Sequence, residues 1–277
     1  MLQNIVTEWR KKMKIGFVIP SRLKSTRLPR KNLLYLGSQS ALGWAIDRAK
    51  MSTSIDEVVV ATTPLKTDAD VTKVCCEKKV RYYQGDPVDV LKRLRDTADY
   101  FDFDYVVNIT PDNTLFSIYL IDLMVTNIKQ SGADYYRFKD IMLGSGIYAL
   151  KREALQTVCD FKETLDTEIW GPLFHEKYFD VVELYTPEFL KADYRLTMDT
   201  PEDYLMLNQI YEDLNISKGN IVELERVINY LNKNPEVAGI NKDIVQSSVP
   251  KEIISNIRNH FEKHENEFYE IRNKYYK

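Results

Sequence analysis

The chain has 277 residues, enough for one large α/β domain or one domain with an appendage, and a core of that size needs no disulfide or metal staple. Its 38 Lys and Arg against 41 Asp and Glu leave a formal net charge of −3, which argues against generalised nucleic-acid binding. No run approaches the roughly 18 apolar residues of a membrane span, the leading MLQNIVTEWRKK lacks the apolar centre of a signal peptide, and Cys75, Cys76 and Cys159 show no C-x-x-C spacing, so a soluble cytoplasmic protein is expected.

KIGFVIP (14–20) reads as the first strand. It runs into SRLKSTRLPRK (21–31), where five of eleven residues are Lys or Arg and none is acidic. A helix follows over 41–50, then the β-branched strand EVVVATT (57–63), a polar helix over 68–79 and the weaker strand VRYYQ (80–84). The next helix spans 87–101, with Pro87 in its first turn, where a missing N–H costs little. DYVVNIT (104–110) is a strand, PDNT a turn, and 116–130 a helix closed by Gly132. Strand and helix alternating through short joints predicts a mostly parallel sheet covered on both faces.

The second half is less regular. Strands are expected at 133–138 and 146–150, where antiparallel pairing is an option, and at 179–186 and YRLTM (194–198). The segment 166–178 reads as helical around Gly171–Pro172. Thr200, Pro201 and Asp203 supply an N-cap, a proline at the first position and an acid at the third, so a helix spans 200–214, and another spans 221–233. These elements form one domain over 13–245. In the tail, 246–277, Ile253, Ile257 and Phe261 fall at i, i+4 and i+8, with Phe268 and Ile271 beyond, which predicts one amphipathic helix packed on the core or on another subunit.

Ligands of open α/β sheets gather outside the carboxyl ends of the strands, where the basic loop lies. Arg22, Arg27 and Lys31 there suit several phosphate oxygens, or else form a solvated basic loop. Neither a G-x-x-x-x-G-K-[ST] loop nor a dinucleotide glycine fingerprint occurs. Asp112 follows the fourth strand and is either a Mg²⁺ ligand or part of the turn that PDN spells. Asp199 again precedes a helix whose cap Thr200 already supplies, so local structure leaves it unexplained. A basic loop and two such acids suit metal-assisted attack on a nucleoside triphosphate. His175 is a candidate substrate contact, whereas His260 and His264 read as a surface helix pair.

FVIPSRLKSTRLPRKNLLYLG resembles the opening of the cytidylyltransferases that activate acidic sugars, such as the CMP-KDO and CMP-sialate synthetases, and is more similar still to the spore-coat-polysaccharide type. EVVVATT, GDPVDVLKR, YVVNITPDNTL and YRLTMDTPEDYLML match that branch's later blocks in order, and NPEVAGINKDI closes the match. The resemblance implies a GT-A-like, Rossmann-related α/β fold. It implies that Arg22, Lys31 and Asp112 carry catalysis, with Pro20, Ser21 and Arg27 completing the triphosphate loop. Thr62, Gly85, Asp89 and Arg93 would lie near the nucleoside, Asp112 and Asp199 would hold Mg²⁺, and Arg137, Gly146 and His175 would meet the acceptor. The implied reaction joins CTP to an anionic acceptor, an acidic sugar or a phosphorylated or phosphonate molecule, for surface polysaccharide, in a homodimer. Two departures stand out. The family's Pro-Gly-Lys is here Pro29-Arg30-Lys31, and FKDIMLGSGIYALKREAL lacks the acid that often follows the family's glycine. Rival readings are a GT-A glycosyltransferase, disfavoured by PDN in place of Asp-x-Asp, a transferase using another nucleotide, and a non-catalytic partner subunit.

Overall fold

The computed structural model describes residues 12–246 and 249–276, so nearly all of the leading stretch lies outside the described residues. The first half runs β1 (Ile15–Pro20), the small hairpin β2 (Tyr35–Leu36) and β3 (Gln39–Ser40), α1 (Ala41–Ala49), β4 (Glu57–Thr62), α2 (Ala69–Glu77), β5 (Arg81–Gln84), α3 (Val90–Phe101), β6 (Tyr105–Asn108) and α4 (Ile118–Ser131). The second half runs β7 (Tyr135–Lys139), β8 (Tyr148–Lys151), α5 (Arg152–Phe161), β9 (Val181–Tyr185), α6 (Pro201–Asp213), α7 (Leu224–Lys233), the single turn α8 (Pro235–Ala238), α9 (Lys251–Lys263) and α10 (Glu265–Tyr275). Seven strands form one sheet in the order β5-β4-β1-β6-β8-β7-β9. All neighbours are parallel except β8, which is antiparallel to both β6 and β7.

Period-two alternation divides β1 between two cores. Ile15, Phe17 and Ile19 pack with Trp44, Met124, Leu207 and Val227 on one face, while Val18 joins Leu94, Val106, Leu155 and Val158 on the other. Burying each such side chain contributes about 1.5–3 kcal/mol. Both faces are therefore covered, and the polar ends of the central strands are left to carry the chemistry.

Five elements depart from the sequence expectation. Residues 194–198 form no strand: Leu196 N–H donates to the Leu143 carbonyl at 2.8 Å and Met198 N–H to that of Asp112 at 2.9 Å. The residue types alternate, but Leu196, Thr197 and Met198 are buried in succession and their backbone partners are loops. Around Gly171–Pro172 only a single 3₁₀ turn forms, Gly171–Leu173, since the two residues interrupt any longer helix. Helix α5 was not expected, although Leu155, Val158 and Phe161 lie buried on one face at helical spacing. Pro87 lies outside α3, whose N-cap is Asp89. The tail is two helices broken at His264 rather than one. Seven residues of continuous helix would separate Phe261 and Phe268 by about 10 Å, but the break brings their rings to 5.4 Å, against Phe161 and Tyr178.

Gly144 sets the path of the 194–198 segment. Its φ is +91°, and a Cβ there would lie 2.3 Å from the backbone of Leu196 and Thr197. Gly144→Ala should therefore cost at least about 3 kcal/mol by overlap and backbone strain, read as a large fall in denaturation midpoint; an unchanged midpoint would refute the packing described.

Candidate active site

The loop after β1 is held open by its own buttresses. Ser21 is buried and its N–H donates to the Ala61 carbonyl, while the Asn32 amide donates to Ser21 Oγ at 3.2 Å and to the Arg22 carbonyl at 3.0 Å. Leu23 N–H is capped by the buried Asp68 carboxylate at 2.7 Å. Arg30 occupies the left-handed region with φ 56°, at about 1 kcal/mol of steric cost for a residue with a Cβ. That is why glycine suits this position. Its guanidinium pairs with Asp70 outside the cavity.

The loop lines a cavity of about 500 Å³ with residues from four other segments. Pro20, Arg22, Arg27 and Lys31 come from the loop, Arg93 from α3, Asp112 from the turn after β6 and Asp199 from the approach to α6. The ammonium of Lys31 sits between the two acids, hydrogen-bonded to Asp112 and, at 2.6 Å, to Asp199 Oδ1. Arg27 and Arg195 reach the other oxygen of Asp199 at 3.3 and 3.1 Å. Asp112 also accepts from the Thr110 hydroxyl and from Asn113 Nδ2.

This crowding sets the protonation states. Burial alone would lower the pKa of Lys31, but the charge and hydrogen bond of Asp112, joined by Asp199, raise it above the ordinary lysine value. Burial alone would raise that of Asp199; the Lys31 hydrogen bond and charge, with Arg27 and Arg195, hold it below the usual carboxylate range. Burial, and then the nearby charge of Arg22, push Arg93 down to about 10, still a cation at neutral pH. Arg93 Nε and Asn108 Nδ2 are buried at the cavity wall without protein partners. Such groups are costly unless a ligand or water completes them.

Other sequence-derived candidates lie elsewhere. Asp89 is sealed under the site, capping α3 and paired with Lys162. Thr62 is fully buried, and its carbonyl accepts from Gly85 N–H at 2.9 Å. A Cβ on Gly85 would lie 2.9 Å from the Tyr83 ring and 3.1 Å from Arg93 Cγ, so this glycine makes room for both side chains. None of the three lines the cavity. Arg137 and His175 line a second cavity of about 620 Å³ under α9, where Arg137 is already paired with Glu176 and Glu183. Gly146 packs on Ile141 and lines neither cavity. The structure thus does not bring the expected acceptor residues to the acid pair. It supplies instead Asn108, Asp166, Glu168 and Trp170, and Glu168 forms an ion pair with Arg22. Asn108 was legible as the polar end of a central strand; 166–170 carries no such mark.

Two converging carboxylates fit a magnesium ion, which takes one or two protein acids and fills its octahedron with water and phosphate oxygens. No group of three or more metal-ligating side chains exists among the described residues, so an all-protein cage is not what this site offers.

The cytidylyltransferase family model matches residues 17–244. The chain belongs to the cytidylyltransferase family. It is 33% identical over 240 residues to an uncharacterized protein of Methanocaldococcus jannaschii, covering 85% of this chain and 98% of that one. It is 28% identical over 236 residues to the spore coat polysaccharide biosynthesis protein SpsF of Bacillus subtilis, covering 81% and 96%. Among solved structures it resembles a cytidylyltransferase from Leptospira borgpetersenii with TM-score 0.75 and 26% identity, covering 85% of this chain and 100% of that one. A CTP-dependent nucleotidyltransferase accounts for a cationic loop facing two acids at the carboxyl edge of the sheet, and the glycosyltransferase reading falls away.

Proposed function

We propose that the protein is a Mg²⁺-dependent cytidylyltransferase that joins the CMP moiety of CTP to an oxygen of an acidic sugar or phosphorylated small molecule for surface polysaccharide, acting in the cytoplasm as a homodimer. The observation that carries the reading is Lys31, held between Asp112 and Asp199 in one cavity with Arg22, Arg27 and Arg93. The polysaccharide role is supported by the similarity to the Bacillus spore coat polysaccharide biosynthesis protein.

The acceptor oxygen attacks the α-phosphorus in line, its new O–P bond replacing the bond to the bridging oxygen, and pyrophosphate takes the electron pair away. Arg22 and Arg27 offer forked donors and Lys31 a point charge to the departing phosphates. For that, Arg22 exchanges Glu168 for a phosphate oxygen, an exchange one ion pair on an exposed partner permits cheaply. Magnesium, when bound at Asp112 and Asp199, supplies neutralisation of charge on the phosphates. A phosphate or phosphonate acceptor is already ionised and needs no base; a sugar hydroxyl must give up its proton to a carboxylate of the lining such as Asp166 or Glu168, since no histidine lines this cavity.

Pyrophosphate release from each nucleoside triphosphate, across a panel of acidic and phosphorylated acceptors with Mg²⁺, tests this reading. Release is expected with CTP and should drop about 10³-fold or more in Asp112→Ala. Equal turnover by that variant, or preference for another nucleotide, would overturn it.

A further inference from the structure

The neighbourhood of Asp199 contains a feature that phosphate binding does not require. Asp203, fully buried, accepts five hydrogen bonds: from Asp199 N–H at 2.9 Å, Thr200 N–H at 3.0 Å, Arg195 Nε at 2.8 Å, Arg195 Nη2 at 3.0 Å and Asn241 Nδ2 at 2.8 Å. The fork on Asp203 is bidentate and pins the Arg195 guanidinium. From that fixed position Nη2 also donates to Asp199 Oδ2 at 3.1 Å. Asn241, itself 2% exposed, braces the arrangement from beyond α8 by a second bond to the Arg195 carbonyl at 3.0 Å.

The three cations on Asp199 are therefore not equivalent. Lys31 and Arg27 belong to the loop that turns toward phosphate, and Arg27 is half exposed. Arg195 cannot follow them, because its other contacts hold it in place: the fork on the buried Asp203 carboxylate and a bond from Nη1 to Gln246 Oε1 at 2.5 Å. Once the loop moves, Oδ1 is free and Oδ2 remains occupied.

We infer that Arg195 is a positioning residue that commits Asp199 to metal binding through Oδ1 alone, so that the site favours a small octahedral ion over calcium. This rests on the Mg²⁺ reading above. Magnesium and manganese accept single-oxygen carboxylates in a strict octahedron, whereas calcium takes six to eight oxygens and welcomes bidentate ones. Removing the donor on Oδ2 releases a second oxygen and relaxes that selectivity. A role in capping α6 alone would alter stability and leave the ion preference untouched.

The test is calorimetric CTP binding in Mn²⁺, Mg²⁺ or Ca²⁺ without acceptor, comparing wild type, Arg195→Lys and the double variant Arg195→Met with Asp203→Asn. Lysine keeps the charge but loses the fork; the double variant avoids stranding a buried carboxylate. Because CTP binds each ion equally in every sample, the ratio of affinities isolates the protein's share. The expected result is a 10–100-fold weakening in Mn²⁺, little change in Ca²⁺, and hence a Ca²⁺/Mn²⁺ ratio raised about tenfold or more in both variants. An unchanged ratio in folded samples of both would overturn the inference while leaving the metal reading intact. CTP binding by wild type that is the same with and without divalent ions would instead overturn the metal reading, and this inference with it.

Discussion

Replacing Lys31 by methionine should lower kcat/KM for CTP by about 10³-fold, the upper range for removing one charge-stabilising group, while making the free protein take up divalent ions more readily. Both effects follow from one position. In the structure the Lys31 ammonium neutralises Asp112 and Asp199 together, and the same ammonium is the point charge available to the triphosphate. A metal entering alone must displace it; a metal arriving with CTP gives it a new partner. Methionine fills much the same volume, removes the competitor and leaves the phosphates without their cation. Calorimetry with Mn²⁺ alone checks the first effect, and pyrophosphate release checks the second. The acid side of the stability profile supplies a third measure. Asp199 has a lowered folded-state pKa, so its stabilisation is present above its unfolded value and fades as pH falls through the folded one. The variant loses the largest favourable contributor, and its stability should depend less on pH across the carboxylate range. Weaker ion uptake than wild type would contradict the picture of Lys31 as the occupant of the acid pair.

The parts of this site that could be read in the sequence are those fixed by strand ends. Lys31, Asp112 and Asp199 are far apart in the chain, yet the first two follow parallel strands β1 and β6, paired from Ile15–Tyr105 to Val18–Asn108, and therefore open on one edge. Thr200, Pro201 and Asp203 announced a helix whose capping box is present, and local chemistry of that kind needs no tertiary context. What escaped reading depends on contacts between distant loops. YRLTM alternates like a strand but pairs with Leu143 and Asp112 carbonyls, which no periodicity distinguishes from a neighbouring strand. Residues 166–170 reach the cavity because Thr167 is tied to Asp89 through 2.7 Å across 78 positions, and Arg195 matters through a buried partner eight residues on. The resemblance placed Asp89 near the nucleoside; its burial and saturated oxygens show a carboxylate that works on structure.

That role predicts a large stability effect. Lys162 and Asp89 have side chains only 4% and 2% exposed. The Asp89 carboxylate also accepts from Lys92 N–H at 2.9 Å and from the Thr167 hydroxyl at 2.7 Å, and Thr167 in turn receives Leu91 N–H at 2.9 Å. Lys162→Met leaves that carboxylate buried and uncompensated, which costs about 3–5 kcal/mol and lowers Tm by about 10 °C. Removing both charges should be milder than removing one. In Lys162→Met with Asp89→Asn, asparagine still caps α3 and carries no charge, so most of the lost stability should return. The double-mutant cycle isolates the pair from the cap. The same variants test the link to the cavity, since Thr167 anchors the segment that carries Glu168 to Arg22. Lys162→Met should therefore weaken the Arg22–Glu168 pair and change CTP affinity even at temperatures where the protein is folded. A single variant as stable as wild type, or a double variant no better than the single, would mean that Asp89 is not the hub this geometry describes.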